Sequence, residues 1–372
     1  MRLGIYGGSF NPPHLGHLRA AQYFKRSLAL DEVLVIPAKE APLKAAPLVS
    51  AEDRLALCGR TFPYSVSDIE LRRPGVSYTI DTLRELRARY PDAALFLLVG
   101  EDQQEKFHLW KDWQGILQLA ELFILPRNVA VTRAGEGDES FTPLEISSTQ
   151  LRLKLLLGED CSAYLSPEAM VYIHEKRLYQ PLTPERLHHS RCVAEAAEML
   201  ARKYGAASAI QRLADKARLA SLTHDCAKSM PLETQETLCA RYGKPFTAHE
   251  YAAPQVCHAF AGEAYLAMEC GVTDPEILGA VRWHTLGHPG MTLLEEIIFV
   301  ADLISEDRNY PDVECTRALA AQDLHAASIY ILEYIFARQR ERGRPIHPDS
   351  LTWYNELCAG GPLAAPAEGD ID

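Results

Sequence analysis

An α/β domain with a parallel sheet, followed by an all-α domain, is the architecture this sequence predicts, and three observations predict it. Up to about residue 180 short apolar runs alternate with amphipathic segments, as they do when strands and helices wind around a parallel sheet. After Pro181-Leu182-Thr183-Pro184 the chain turns to Ala- and Leu-rich segments of helical period, with almost no alternating β-branched runs. The length, 372 residues, also suits two cores, because one domain commonly takes about 100–200 residues. The expected division is 1–181, 182–359 and a flexible, small and acidic tail over 360–372.

Within the first part, the apolar runs Leu3–Tyr6, Val33–Ile36, Leu95–Val99 and Leu122–Leu125 read as strands. Leu15–Ser27 and Thr79–Tyr90 read as helices. A further helix opens at Ser50, where Asp53 three residues on completes a capping box. No internal repeat is present in either part.

Hydrophobic residues make up 47% of the chain, an ordinary share for a packed protein. No apolar run reaches the roughly 18 residues a membrane span needs, and the chain opens directly into a strand, so no membrane partner and a cytoplasmic address are expected. The nine cysteines are scattered, odd in number and without a C-x-x-C pair, which predicts reduced and mostly buried thiols. Charge is unevenly shared: 17 Lys and Arg against 27 Asp and Glu follow Pro181, so this part carries −10 of the −12. That balance excludes a nucleic-acid backbone as its general partner, since such binding needs clustered positive charge. Nine of the 13 histidines lie in the same acidic part, a composition that suits a cation site as well as a solvated surface. An oligomer is left open.

The opening Gly7-Gly8-Ser9-Phe10-Asn11-Pro12-Pro13-His14-Leu15-Gly16-His17 joins a strand to a helix through a glycine turn. Glycines let a backbone approach a phosphate chain, and first-turn amides with the helix dipole attract its charge. His14 and His17, three apart, share one helix face. Taken alone, such a run also reads as a tight turn with two surface histidines. Its full length, however, resembles the G-G-[ST]-F-N-P-P-H-x-G-H signature of nucleotidylyltransferases, which have a Rossmann-like fold and bind ATP phosphates with H-x-G-H. Ile146-Ser147-Ser148-Thr149-Gln150-Leu151-Arg152 resembles a second motif of that superfamily, in which hydroxyls, helix amides and the arginine hold the triphosphate from the other side.

Between them, Ser77-Tyr78-Thr79-Ile80-Asp81-Thr82-Leu83, Val99-Gly100-Glu101-Asp102 and the Trp110-Lys111-Asp112-Trp113 stretch resemble bacterial nicotinate-nucleotide adenylyltransferases. The resemblance implies a pyridine pocket at Tyr78, Thr79, Asp102 and Trp110. It also implies in-line attack by nicotinate mononucleotide on the α-phosphorus of ATP, with Mg2+. His14, His17, Lys44 and Arg152 would neutralise charge, and His17 would make the transition-state contact. Two positions depart from the family: Leu43 replaces the histidine of P-H-K, and Pro126-Arg127-Asn128 replaces R-P-G. Nicotinamide mononucleotide as acceptor, another nucleotidylyltransferase, or an aminoacyl-tRNA synthetase are alternatives; the last lacks its basic bulk here.

In the second part, His189 shares an apolar stripe with Val193, Ala197 and Leu200, whereas His188 points about 100° away. His224-Asp225 ends an apolar helix, and His258, His284 and Asp302 follow in apolar surroundings. The order H…HD…H…H…D, with the flanking words, resembles the HD-domain symmetrical bis(5'-nucleosyl)-tetraphosphatases, which split diadenosine tetraphosphate into two ADP. The resemblance implies one metal on His189, His224, Asp225 and Asp302, and another on Asp225, His258 and His284. Asp225 would be catalytic as the bridging ligand, and Lys228 and Arg308 would clamp phosphate. Imidazole and carboxylate without thiolate suit iron, the favoured metal, as well as manganese, cobalt or nickel. His288 stands where the family has a basic residue; His249, His325 and His347 read as surface or packing residues, and Cys226 and Cys257 as small core residues. Another nucleotide as substrate, or a regulatory module that only binds one, are the alternatives for this half.

Overall fold

The computed structural model describes residues 1–40, 42, 47–125, 143–179 and 182–360, without the side chain of Asp102. Lys44, Leu43 and the Pro126-Arg127-Asn128 word lie outside the described residues, as do Pro181 and residues 361–372. The chain divides into two compact units, one of Met1–Leu155 with Glu159–Tyr179 and one of the remaining described residues.

The first unit is built on five parallel strands, β1 (Arg2–Gly8), β2 (Glu32–Pro37), β3 (Ser65–Val66), β4 (Ala94–Gly100) and β5 (Glu121–Leu125), in the order β3-β2-β1-β4-β5. Its helices are α1 (Leu15–Ser27), α2 (Ala51–Thr61), α3 (Thr79–Arg89), α4 (Glu101–Gln104), α5 (Trp113–Leu119), α6 (Ser148–Leu156) and α7 (Pro167–Lys176). Strands covered on both faces read as unbroken apolar runs, and β4 shows why. Leu95, Leu97 and Val99 join Ile80, Leu83 and Ile116 on one face, while Phe96 and Leu98 join Ala21, Phe24 and Cys58 on the other. Gly4 lets α1 lie tightly on β1: a Cβ there would stand 2.5 Å from Leu30 and 2.7 Å from Phe24. Strand order reverses between β1 and β4, and in open α/β sheets ligands bind beyond the carboxyl ends at such a point. Gly7, Gly8 and Gly100 end those two strands.

The α-helices of the second unit are α8 (Pro184–Tyr204), α9 (Ile210–Thr223), α10 (Leu232–Arg241), α11 (Ala248–Ala252), α12 (Cys257–Met268), α13 (Pro275–Trp283), α14 (Leu293–Ile304), α15 (Val313–Ala320), α16 (Leu324–Glu341) and α17 (Pro348–Gly360), and its described residues contain no strand. Helix α17 runs through Gly360, and the rest of the segment expected to be a tail lies outside the described residues. A helix apolar on all sides is buried on all sides. Accordingly α12 and α14, each buried around nearly its whole circumference, form the interior. Helix α8 packs against α9 and α14 through Val193, Ala197 and Leu200, the stripe that carries His189. Among the described residues no helix is long and apolar enough to cross a membrane. No disulfide joins any of the nine cysteines, and only Cys315 and Cys358 among them are exposed.

Two candidate active sites

In the first unit the chain leaves β1 at Gly8, turns through Ser9–Pro13 and enters α1 with His14 as its cap. The His14 backbone N–H donates to His17 Nδ1 at 3.2 Å, and the two rings stack with centroids 3.7 Å apart. That acceptor role puts the proton of a neutral His17 on Nε2, where it can be donated. His14 is buried, its Nδ1 has no hydrogen-bond partner among the described residues, and burial lowers its pKa to about 4. Without a ligand it is therefore a neutral imidazole. A Cβ at Gly16 would approach His14 Nδ1 to 2.9 Å, which is why the position between the histidines has no side chain. Phe10 packs edge-on against His17, 5.2 Å between centroids.

The second motif meets this turn directly. Ser148 Oγ donates to the Pro12 carbonyl at 2.8 Å, and buried Arg152 donates from Nη1 to the Asn11 carbonyl and from Nη2 to Thr149 Oγ1 at 3.2 Å. Ser147 Oγ accepts from the Gln150 N–H at 3.2 Å, closing the start of α6, and Ile146 packs on the cluster around Leu151. Arg152, expected from the sequence to add charge for phosphate, thus spends these contacts on shaping the histidine turn. Arg54 does the same from the other side: at 1% exposure it donates to the carbonyls of Ser9 (2.7 Å), Ala38 (2.7 Å) and Lys39 (3.1 Å).

Beyond the carboxyl ends of β1 and β4 lies a cavity of about 470 Å3. Gly7, Gly8 and Ser9 line it together with Tyr78, Thr79 and Trp110, so residues drawn from three separate words of the sequence line one cavity. His14, His17 and the 146–152 segment are not part of this lining. Thr79 opens α3 at the cavity, and the dipole and free amides of a helix start favour a carboxylate there. Lys111 also lines the cavity, with Nζ 4.3 Å over the Tyr78 ring.

In the second unit five helices deliver six side chains to one buried point. His189 comes from α8, His224 and Asp225 from the end of α9, His258 from α12, His284 from the end of α13 and Asp302 from α14. Three of the histidines are oriented alike: Nδ1 of His224, His258 and His284 faces the carbonyl three residues back, at 2.6, 2.9 and 2.7 Å. With the proton on Nδ1, each Nε2 presents a lone pair, and these converge. Nε2 of His258 and His284 stand 3.3 Å apart, and Asp225 Oδ1 lies 3.1 Å from His258, 3.6 Å from His284 and 3.7 Å from His224. His224 Nε2 is buried without a hydrogen-bond partner among the described residues. Burial lowers the pKa of His224 and of His258 to about 4, which keeps both neutral. Burial alone would raise Asp225, yet it lies well below the usual carboxylate range, the direction in which the neighbouring Lys228 cation moves it.

Orphaned lone pairs beside a buried carboxylate are what a cation would satisfy. Three overlapping groups place their ligand atoms within 4.8 Å of one another: His189, His224 and Asp225; His224, His284 and Asp302; Asp225, His258 and His284. His189 Nε2 lies 3.0 Å from Asp302 Oδ1, and its Nδ1 lies 2.7 Å from Asp307. His188 faces Cys192 instead. Lys228 Nζ stands 3.2 Å from Asp225, and Arg308 is paired with Asp302.

Both sites have relatives. Residues 5–154 match the cytidylyltransferase-like family model, and residues 186–307 the HD domain model. The probable nicotinate-nucleotide adenylyltransferase of Opitutus terrae is 37% identical over 195 residues, 49% of this chain and 99% of that protein. The symmetrical bis(5'-nucleosyl)-tetraphosphatase of Bacillus subtilis is 38% identical over 181 residues, 49% of this chain and 94% of that protein. The chain belongs to both families, nicotinate-nucleotide adenylyltransferase and HD-domain hydrolase. A solved HD superfamily hydrolase from Clostridium acetobutylicum, described as involved in NAD metabolism, is 30% identical, with a TM-score of 0.45 over 48% of this chain and 91% of that one.

In the adenylyltransferase part, sequence reading singled out neither Lys111 and buried Glu70, which line the cavity, nor Arg54, which braces the turn beside it. Arg54 looks like an ordinary surface charge on an amphipathic helix, and no spacing signals its burial. In the HD part the omissions are Asp307 behind His189 and Arg186 on Asp225. The first is legible only as a second carboxylate five residues after Asp302. His288 is held by Glu295 at 3.3 Å and stacks on Trp283 at 4.6 Å. His325 and buried His347 pair with Glu296 and Glu250, His249 is exposed, and Cys226 and Cys257 are buried.

Proposed function

We propose that the chain is a bifunctional cytoplasmic enzyme that makes deamido-NAD and pyrophosphate from ATP and nicotinate mononucleotide, and splits diadenosine tetraphosphate into two ADP. In the first site Mg2+ arrives with ATP as part of the substrate. The Gly7-Gly8-Ser9 turn and the Ser147–Thr149 helix start would take the triphosphate, with His17 donating from Nε2 to the oxygen whose charge grows. Tyr78, Thr79, Asp102 and Trp110 would hold the pyridine ring, with its carboxylate at the start of α3. Because the acceptor phosphate is itself the nucleophile, rate would come from placement and charge compensation, including that of Lys44. The observation that carries this reading is the cavity shared by the glycine turn and the Tyr78-Thr79/Trp110 wall.

In the second site His189, His224, Asp225, His258, His284 and Asp302 would hold two metal ions, iron by preference over manganese, cobalt or nickel. Bound there, the ions supply Lewis acidity toward a phosphoryl group and lower the pKa of bound water. The protein's own part is to keep the imidazole lone pairs unprotonated, fix the carboxylates and hold the phosphate chain through Lys228 and Arg308. The three parallel Nδ1-to-carbonyl contacts support this reading most directly.

Pyrophosphate release with ATP and either pyridine mononucleotide tests the first half. Nicotinate mononucleotide should be preferred at least about tenfold in kcat/KM, since a carboxylate in place of an amide gains the helix-start interaction. Equal or reversed preference would replace the acceptor with nicotinamide mononucleotide and leave adenylyl transfer in place.

A further inference from the structure

The first turn of α8 carries Arg186, three residues before His189 and on the same face. Its Nη1 donates to Asp225 Oδ2 at 2.8 Å. Lys228 stands on the other oxygen of Asp225 at 3.2 Å, and Arg308 holds Asp302. Each buried carboxylate of the ligand set therefore already has a cation on it. The three cations are alike in placement, with side chains 35%, 31% and 34% exposed, whereas the carboxylates beneath them are 1% and 8% exposed. They form the rim, and the carboxylates the floor.

A guanidinium and a metal ion compete for the same carboxylate lone pairs, and two cations at that separation repel. Metal binding at Asp225 would thus weaken the Arg186 contact and leave a long, half-exposed side chain beside a strongly positive centre. What such a centre attracts is an anion, and the planar fork of arginine matches phosphate oxygens in pairs. We infer that Arg186 is an exchanging counter-ion: it neutralises Asp225 before the metal arrives and afterwards binds a phosphate oxygen of the substrate, completing a three-cation clamp with Lys228 and Arg308. The inference rests on the proposal that this site holds metal ions. It does not depend on which nucleotide is cleaved.

The contrary possibility is that Arg186 only pins the start of α8 to the end of α9, and the two differ in sign. Chelator-stripped wild type, Arg186→Gln and Arg186→Lys are titrated with Mn2+ by calorimetry, and the Mn2+-loaded proteins are then titrated with inorganic phosphate. With the competing charge gone, Arg186→Gln should bind Mn2+ about tenfold more tightly and phosphate about tenfold more weakly. Arg186→Lys should keep the Mn2+ affinity of wild type and lose about threefold in phosphate affinity, because the charge stays and the fork is lost. Unchanged or weaker Mn2+ binding in Arg186→Gln, or unchanged phosphate binding in either variant, overturns the inference. If Arg186→Gln does not fold, the phosphate titration of Arg186→Lys decides alone. Failure to cleave diadenosine tetraphosphate, with these titrations as stated, would remove the substrate reading and leave this one intact.

Discussion

The two sites handle charge in opposite ways. In the adenylyltransferase unit the buried cations Arg54 and Arg152 point at backbone carbonyls, and the histidine turn they shape contains a neutral His14. In the HD unit the buried charges are side chains facing side chains, with Asp225 and Asp302 each held between imidazole and cation. The first arrangement fixes the shape of a turn and leaves the charge to be brought by the substrate. The second stores charge in the protein, ready to exchange partners. A reaction whose nucleophile comes with the substrate needs shape, and one that must activate water needs ligands in a fixed protonation state.

The largest expected effect separates the two regions outright. Asp225→Ala should lower metal-dependent hydrolysis by at least about a thousandfold and leave adenylyl transfer within about twofold. Both rates can be read on one preparation, and a parallel fall in both would break the comparison. Next is Arg54→Met, which takes the buried donor from three partly buried carbonyls. It should cost about 2–4 kcal/mol in urea unfolding of the first unit, with adenylyl transfer falling and hydrolysis unchanged. A loss below about 0.5 kcal/mol would mean that the turn keeps its shape without this side chain.

Smaller effects sharpen the comparison within each site. Gly16→Ala pushes a methyl group against His14 and should lower kcat/KM for ATP by about tenfold, with the melting temperature little changed. The pH response is the mildest. The folded-state pKa of His14, about 4, lies below its ordinary 6.5, so the unfolded chain takes up a proton that the folded one refuses. Its contribution to stability is whole above about pH 6.5 and is lost as pH falls toward 4. By NMR the His14 ring should stay neutral from pH 8 to about 5 and titrate at higher pH once ATP is added, since phosphate favours the charged form.

Much of both sites was legible because their chemistry is written in short words. In the first unit the glycine turn, the histidine pair and the serine-threonine helix start lie together, and in the second the six residues that the family resemblance singled out converge on one buried point. Strand positions followed from β4 and its neighbours, whose unbroken apolar runs announce burial on both faces. β3 did not, because two residues, Ser65 and Val66, carry no period. Arg54, Glu70 and Arg186 were equally silent: a charged residue on an amphipathic helix or loop looks solvent-facing until the fold brings carbonyls, a cavity or a carboxylate to it. Arg152 was legible as a site residue, but its contact with the Asn11 carbonyl was not.

The most direct test of the proposal that both sites work is to give the metal-loaded protein diadenosine tetraphosphate and separate the products, with Asp225→Ala and His224→Ala alongside. Two ADP per substrate, lost in both variants while pyrophosphate release from ATP and nicotinate mononucleotide continues, is the expected result. Intact substrate, or ATP with AMP, would contradict it.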